Sequence, residues 1–253
     1  MADVNILSRY GIKEVADVTF YKINEDGTAG APVLYLDTLK VSTIEQTAEN
    51  TSARGGKGNP ELIMWDYGKE ITVTLEDALF SAKSMAIMYG AVDEEGEAAI
   101  NGNASTVLKT LSKAQVKTEN GKTLFDIGPK SVEAADMDGD PTYYKADGTV
   151  GSADEFEYVT FKLKVAGQEI VISADTFPGT YYVTGDTYAR SEVTGQDEFF
   201  QFILPKAKVT SEVTLTMEAE GDPSTFSMNL KVLRPKDGQM MKLVKYSLDS
   251  AEG

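Results

Sequence analysis

The reading of the fold starts from Val209-Thr-Ser-Glu-Val-Thr-Leu-Thr-Met-Glu-Ala-Glu220, Gly221-Asp-Pro-Ser224 and Thr225-Phe-Ser-Met-Asn-Leu-Lys-Val-Leu233. Successive side chains of a strand point to opposite faces. Val209, Val213, Leu215, Met217 and Ala219 therefore share one side, and Thr210, Glu212, Thr214, Thr216, Glu218 and Glu220 share the other. The return run divides the same way, with Phe226, Met228, Leu230 and Val232 apolar and Ser227, Asn229 and Lys231 polar. Gly221 to Ser224 supply turn chemistry, so the sequence predicts a two-faced hairpin. A hairpin alone is marginal in water, and its apolar face needs cover from this chain or a neighbouring one.

Working outward, strands are predicted at Val15–Ile23 and, after the Asn24-Glu25-Asp26-Gly27 turn, at Val33–Leu36 and Leu39–Ile44. The polar stretch Glu45–Pro60 reads as a mobile surface loop carrying Arg54 and Lys57. Its glycines lack the spacing and the terminal Lys-Ser/Thr of a phosphate loop. In an acidic chain those two cations suit docking on a neighbour's acidic surface. Leu62–Trp65 and Ile71–Leu75 read as a hairpin turning at Asp66-Tyr67-Gly68. The period then changes, and a helix is predicted over 81–89, with Ser81 as N-cap and Gly90 as its stop.

Farther on, Asn120-Gly121 marks a hairpin within Val116–Phe125. Asp136 to Asp147 looks like a calcium loop. Pro141 stands where that loop needs glycine and Asp147 where it needs a bidentate glutamate, so an acidic turn is the expectation. More strands are predicted at Glu157–Val165, Glu169–Ala174, Phe177–Val183 and Phe199–Leu204, with the polar stretch Gly185–Asp197 between the last two, and Met240–Leu248 closes the chain. The fold class expected is mainly β, an antiparallel β-sandwich or barrel with one packed helix. Residues 1–91 form an N-terminal arm and the first part of that sandwich, 92–200 are additional strands and loops, and 201–253 are its closing hairpin and strand.

The chain has 253 residues, no cysteine, no histidine and a net charge of −16. Disulfides, thiolate and imidazole metal sites, cysteine nucleophiles and histidine-dependent triads are closed to it. No basic-then-apolar leader or membrane-length apolar run is visible, and the acidic balance argues against holding nucleic acid by its phosphates. Glu212, Glu218 and Glu220 share an open polar face with no apolar wall to raise a carboxyl pKa, so a solvated face is favoured over a glycosidase-like pair. No catalytic, cofactor-binding or metal-binding residue is expected.

The arm Ile6-Leu7-Ser8-Arg9-Tyr10-Gly11, the long 45–60 loop, the run Gly68-Lys-Glu-Ile-Thr-Val-Thr-Leu-Glu-Asp-Ala-Leu-Phe-Ser81 into the helix, and the C-terminal hairpin together resemble the major tail tube proteins of tailed bacteriophages. The resemblance covers about the first 90 and the last 50 residues. It implies a virion structural protein, not an enzyme, made in the bacterial cytoplasm and built into the tail. Its protomers would form hexameric rings that stack into the conduit for genome ejection. The implied partners are further copies, tape measure and other tail proteins and a possible sheath, with DNA passing through unbound, no membrane and no cofactor. Glu212, Thr214, Thr216, Glu218 and Glu220 would then face the lumen, and Arg54 and Lys57 the next ring. The alternative left open is a capsid decoration or carbohydrate-binding module, in which the pairs Tyr143-Tyr144, Tyr181-Tyr182 and Phe199-Phe200 would make the contact.

Overall fold

The computed structural model describes residues 9–94, 96–102, 106–210, 212–213, 215 and 225–246. In chain order the strands are β1 (Tyr10–Ile12), β2 (Asp17–Ile23), β3 (Ala29–Leu36), β4 (Leu39–Arg54), β5 (Glu61–Asp77), β6 (Ile100–Asn101), β7 (Thr106–Ser112), β8 (Val116–Glu119), β9 (Lys122–Asp126), β10 (Ser131–Val132), β11 (Thr142–Tyr144), β12 (Tyr158–Lys164), β13 (Glu169–Ile170), β14 (Thr180–Ser191), β15 (Asp197–Val209), β16 (Phe226–Val232) and β17 (Lys242–Tyr246). Helix α1 (Ala82–Tyr89) follows β5. The mainly β, antiparallel class with one helix is borne out.

Two compact units emerge, residues 1–100 with 170–253, and residues 101–169. The principal sheet runs β3-β2-β14-β15-β16-β5-β4, with β1 added beside β14 and β17 beside β15. Its core face carries Val18, Phe20, Leu34, Leu36, Val73, Leu75, Val183, Phe202, Leu204, Leu230 and Val232, and Ile87 and Met88 of α1 pack with them. The helix ends where the sequence places them. Ser84 N–H donates to Ser81 Oγ at 3.0 Å, and Ser81 N–H donates to Ser84 Oγ at 2.9 Å. Gly90 takes φ +75, and a Cβ there would meet the Phe177 carbonyl carbon at 2.7 Å.

The second unit has its own core of Leu111, Phe125, Val132, Met137, Phe156, Val159, Phe161 and Leu163. It is built from β10-β9-β8 and β11-β12-β7. Asn120 and Gly121 both take positive φ, 51° and 77°, and so make the tight turn their dipeptide signals. Residues 101–169 carry eight lysines against eleven carboxylates, a net of −3, which leaves −13 of the total −16 to the principal unit.

Three expectations are corrected. Glu45–Pro60 is not a loop: β4 and β5 pair from Leu39↔Asp77 to Arg54↔Glu61, so the turn is Gly55–Pro60 and the strand runs through Asp66-Tyr67-Gly68 instead of turning there. Gly185–Asp197 is not a linker, because β14 continues to Ser191 and pairs with β15 down to Arg190↔Asp197. Among the described residues the strand entering the 209–233 hairpin runs to Val209, with Ala207, Lys208 and Val209 pairing to β16, while residues 211, 214 and 216–224 of the expected hairpin lie outside them. The long partner of β16 is β5, from Phe226↔Asp77 to Lys231↔Thr72. Within the stretch read as additional material, β14 and the first residues of β15 therefore belong to the principal sheet.

Candidate assembly interface

The β4–β5 ribbon outgrows the sheet that supports it. Near Thr72 it is backed by β16 on one side and its inner face meets the core. From Glu61 to Lys69 every residue of β5 is exposed, and most of β4 beyond Glu45 is as well. Alternation from Ile71, Val73 and Leu75 would put Ile63, Trp65 and Tyr67 on the core face too. A bulge intervenes: Thr47↔Glu70 is followed by Glu49↔Tyr67, one extra residue on β5. Gly68 occupies that bulge at φ +63, a conformation natural to glycine. One extra residue exchanges the two faces. Ile63, Trp65 and Tyr67, opposite Ala53, Thr51 and Glu49, thus lie on the side away from the core. Asp66 and Met64, opposite Asn50 and Ser52, lie on the other.

Among the described residues the arm is a two-stranded ribbon with both edges unpaired, and Trp65 is 52% exposed and Ile63 53% exposed. Such a ribbon is marginal by itself, and a long exposed edge invites another strand. At its tip Arg54 pairs with Glu61 at 3.2 Å, and Lys57 is exposed.

A second ribbon projects from the same end of the sheet. β5 is antiparallel to β16, and β16 to β15, so the N-terminal halves of β5 and β15 point the same way. Beyond the core, β14 and β15 are flanked by β1, with Gly11↔Arg190, and by β17, with Phe199↔Tyr246. The two terminal strands are tied across the ribbon. Lys245 Nζ donates to Tyr10 Oη at 3.1 Å, lies 4.6 Å from the centre of that ring, and pairs with Glu198. These contacts hold its ammonium pKa above the ordinary lysine value, the Glu198 hydrogen bond first and the Tyr10 one second. Buried Ala189 and Ser191 occupy the face between them, and their small side chains leave room for that reach. Arg190 grips Asp197 bidentately, 2.7 Å on each nitrogen, and holds its carboxyl below the usual range. On the face opposite the core, Tyr188, Phe199 and Tyr246 form a row, with ring centroids 5.7 and 5.2 Å apart.

Away from the ribbons, the face of β16, β5 and β4 opposite the core is polar apart from exposed Val41: Ser227, Asn229, Lys231, Thr72, Thr74, Glu76, Thr43 and Glu45. Thr74 Oγ1 donates to Asn229 Oδ1 at 3.0 Å, and Lys231 pairs with Glu70 at 2.6 Å. Of the residues expected to form a polar hairpin face, Glu212 is exposed and outside any strand. Thr214, Thr216, Glu218 and Glu220 lie outside the described residues. Among the described residues, no group of three or more carboxylates could hold a metal ion. In the loop that looked like a calcium site, Asp136 Oδ2 accepts from Glu133 N–H and Asp147 Oδ1 accepts from Thr149, so both carboxylates serve their own turns.

Residues 10–245 match the YomU/Tube protein family. The chain belongs to that family. A curated relative, the tail tube protein of Bacillus phage SPR, is 23% identical over 244 residues, covering 92% of this chain and 87% of the phage protein. The resemblance to phage tail tube proteins is borne out by both, and with it the expectation that this family member is a structural component of the virion tail. Among the described residues, no helix is long and apolar enough to cross a membrane.

Proposed function

We propose that the chain is the major subunit of a phage tail tube, with copies closing into six-membered rings that stack into the conduit for genome ejection. The observation that carries this reading is the β4–β5 arm, whose two faces and two edges have no partner among the described residues although it holds the sole tryptophan and an Ile-Met-Trp run. Burying that surface requires a neighbour, and family membership supports a tube as the assembly. The role is structural, not catalytic.

In the assembled tube the polar face of β16, β5 and β4 lines the lumen. Glu45, Glu70 and Glu76 give it an acidic character that Lys231 offsets only in part. Such a wall repels phosphate and lets DNA slide. Lys57 and Arg54 at the arm's tip meet an acidic surface of the adjacent ring, since the principal unit carries most of the negative charge. Tape measure protein, other tail proteins and a possible sheath are the remaining partners.

Negative-stain electron microscopy of the protein across a concentration series tests this. Sixfold rings or hollow tubes are the expected result. Particles of monomer mass at every concentration, including in the presence of preformed tail tubes, would overturn it.

A further inference from the structure

Among the described residues two apolar faces stay uncovered on the same chain, and their chemistry fits one to the other. On the arm, Ile63, Trp65 and Tyr67 step along one face at about 3.4 Å per residue, about 14 Å in all. On the second ribbon, Tyr188, Phe199 and Tyr246 stand in a row across three adjacent strands. Phe199 and Tyr246 stack at an interplanar angle of 13°, so their rings face each other and turn their edges outward. Ring edges carry the positive end of the aromatic quadrupole and favour the π face of another ring. Tyr188 remains 50% exposed and Tyr246 38% exposed, so within one chain neither face covers the other.

We propose that the arm of one copy lies across the Tyr188–Phe199–Tyr246 row of the next, with the indole face of Trp65 on the outward ring edges. This rests on the tube reading above and names the surface that receives the arm. Charge agrees with it: Glu49, opposite Tyr67, is on the arm's apolar face, and Lys242 is on the row's face, four residues along β17 from Tyr246. Each chain carries one arm face and one row, so the contact is head-to-tail. Repeated, it closes into a ring when the rotation per step divides a full turn.

Two features of the sequence make the test specific. Trp65 is the sole tryptophan and the chain has no cysteine. The emission of Trp65 in the unmodified protein should shift to the blue as rings or tubes form, and a Tyr188→Ala, Tyr246→Ala variant that keeps its circular dichroism should lose that shift. Separately, a chain carrying both Ile63→Cys and Val244→Cys, treated with a short bismaleimide, should give a ladder of covalent multimers when assembled and none when dilute. Tubes that form with Trp65 emission unchanged and no ladder would overturn the arm-on-row contact while leaving the tube reading intact. Absence of rings and tubes under all conditions would overturn both.

Discussion

Gly185 lies in the middle of β14, with Val18 of β2 opposite on one side and Phe202 of β15 on the other. An alanine Cβ at this position would stand 2.1 Å from Cε1 and Cζ of Phe202, so the ring must retreat by more than an ångström to reach ordinary contact. The ring has little freedom: Phe202 is 3% exposed, and the β14 backbone is held by ladders on both sides. Overpacking of a filled core costs about 1–3 kcal/mol, and the depth of this overlap puts Gly185→Ala near the top, about 3 kcal/mol. For a unit of this size that lowers the melting temperature by roughly 6–12 °C. Differential scanning calorimetry should show the loss in the transition of the principal unit alone. Phe202→Leu added to Gly185→Ala should recover part of it, with a coupling of about 1–3 kcal/mol in the double-mutant cycle. A Gly185→Ala protein within about 0.5 kcal/mol of wild type, or strictly additive variants, would refute the packing argument.

Burial, and after it the charge of Asp93, pushes the Tyr181 hydroxyl up to about 12. The unfolded tyrosine ionises near 10, so this stabilisation is complete below about pH 10 and is lost as the pH rises toward 12, by about 3 kcal/mol. Urea midpoints at pH 8 and pH 11.5 should show that slope in wild type and a flatter one in Tyr181→Phe. The same variant should cost about 1 kcal/mol at neutral pH, because Tyr181 Oη donates to the Gly96 carbonyl at 2.8 Å. Ser81→Ala removes the N-cap of α1 and should cost about 1 kcal/mol in chemical denaturation, with Ser81→Asp close to wild type. Inserting one alanine after Ala48 gives β4 a residue to match the extra one on β5, which removes the bulge and returns Ile63, Trp65 and Tyr67 to the core side. Electron microscopy should then show no tubes from a protein whose calorimetric transitions are retained.

Clean alternation made Phe226–Val232 legible, and burial follows it residue by residue. The caps of α1 were legible because Ser81 and Gly90 act through local hydrogen bonds and a local φ. The arm was not, for physical reasons. A ribbon that projects from its own chain has no core side to imprint alternation, so the threonines, serine and asparagine of 46–54 read as loop. On the return strand, the bulges at Gly68 and beside Leu62 break the period, and Leu62 to Trp65 became a plain apolar run. The same cause hid the end of β14, where Arg190 and Asp197 look like linker residues but form a cross-strand pair. The sequence singles out Arg54 and Lys57, and the structure sets both at the tip of the β4–β5 ribbon, Arg54 ending β4 and Lys57 in the turn that follows. The polar face opposite the core was anticipated in kind, since Ser227, Asn229 and Lys231 lie there, while its other members come from β4 and β5.

The most direct test of the account is sedimentation of the wild-type chain beside a variant in which residues 49–67 are replaced by an Asn-Gly turn. The account predicts that the wild type, concentrated or seeded, moves into rings and tubes, while the shortened chain stays at monomer mass with its core transition unchanged. Equal assembly by the shortened chain would contradict the claim that the β4–β5 arm joins the subunits.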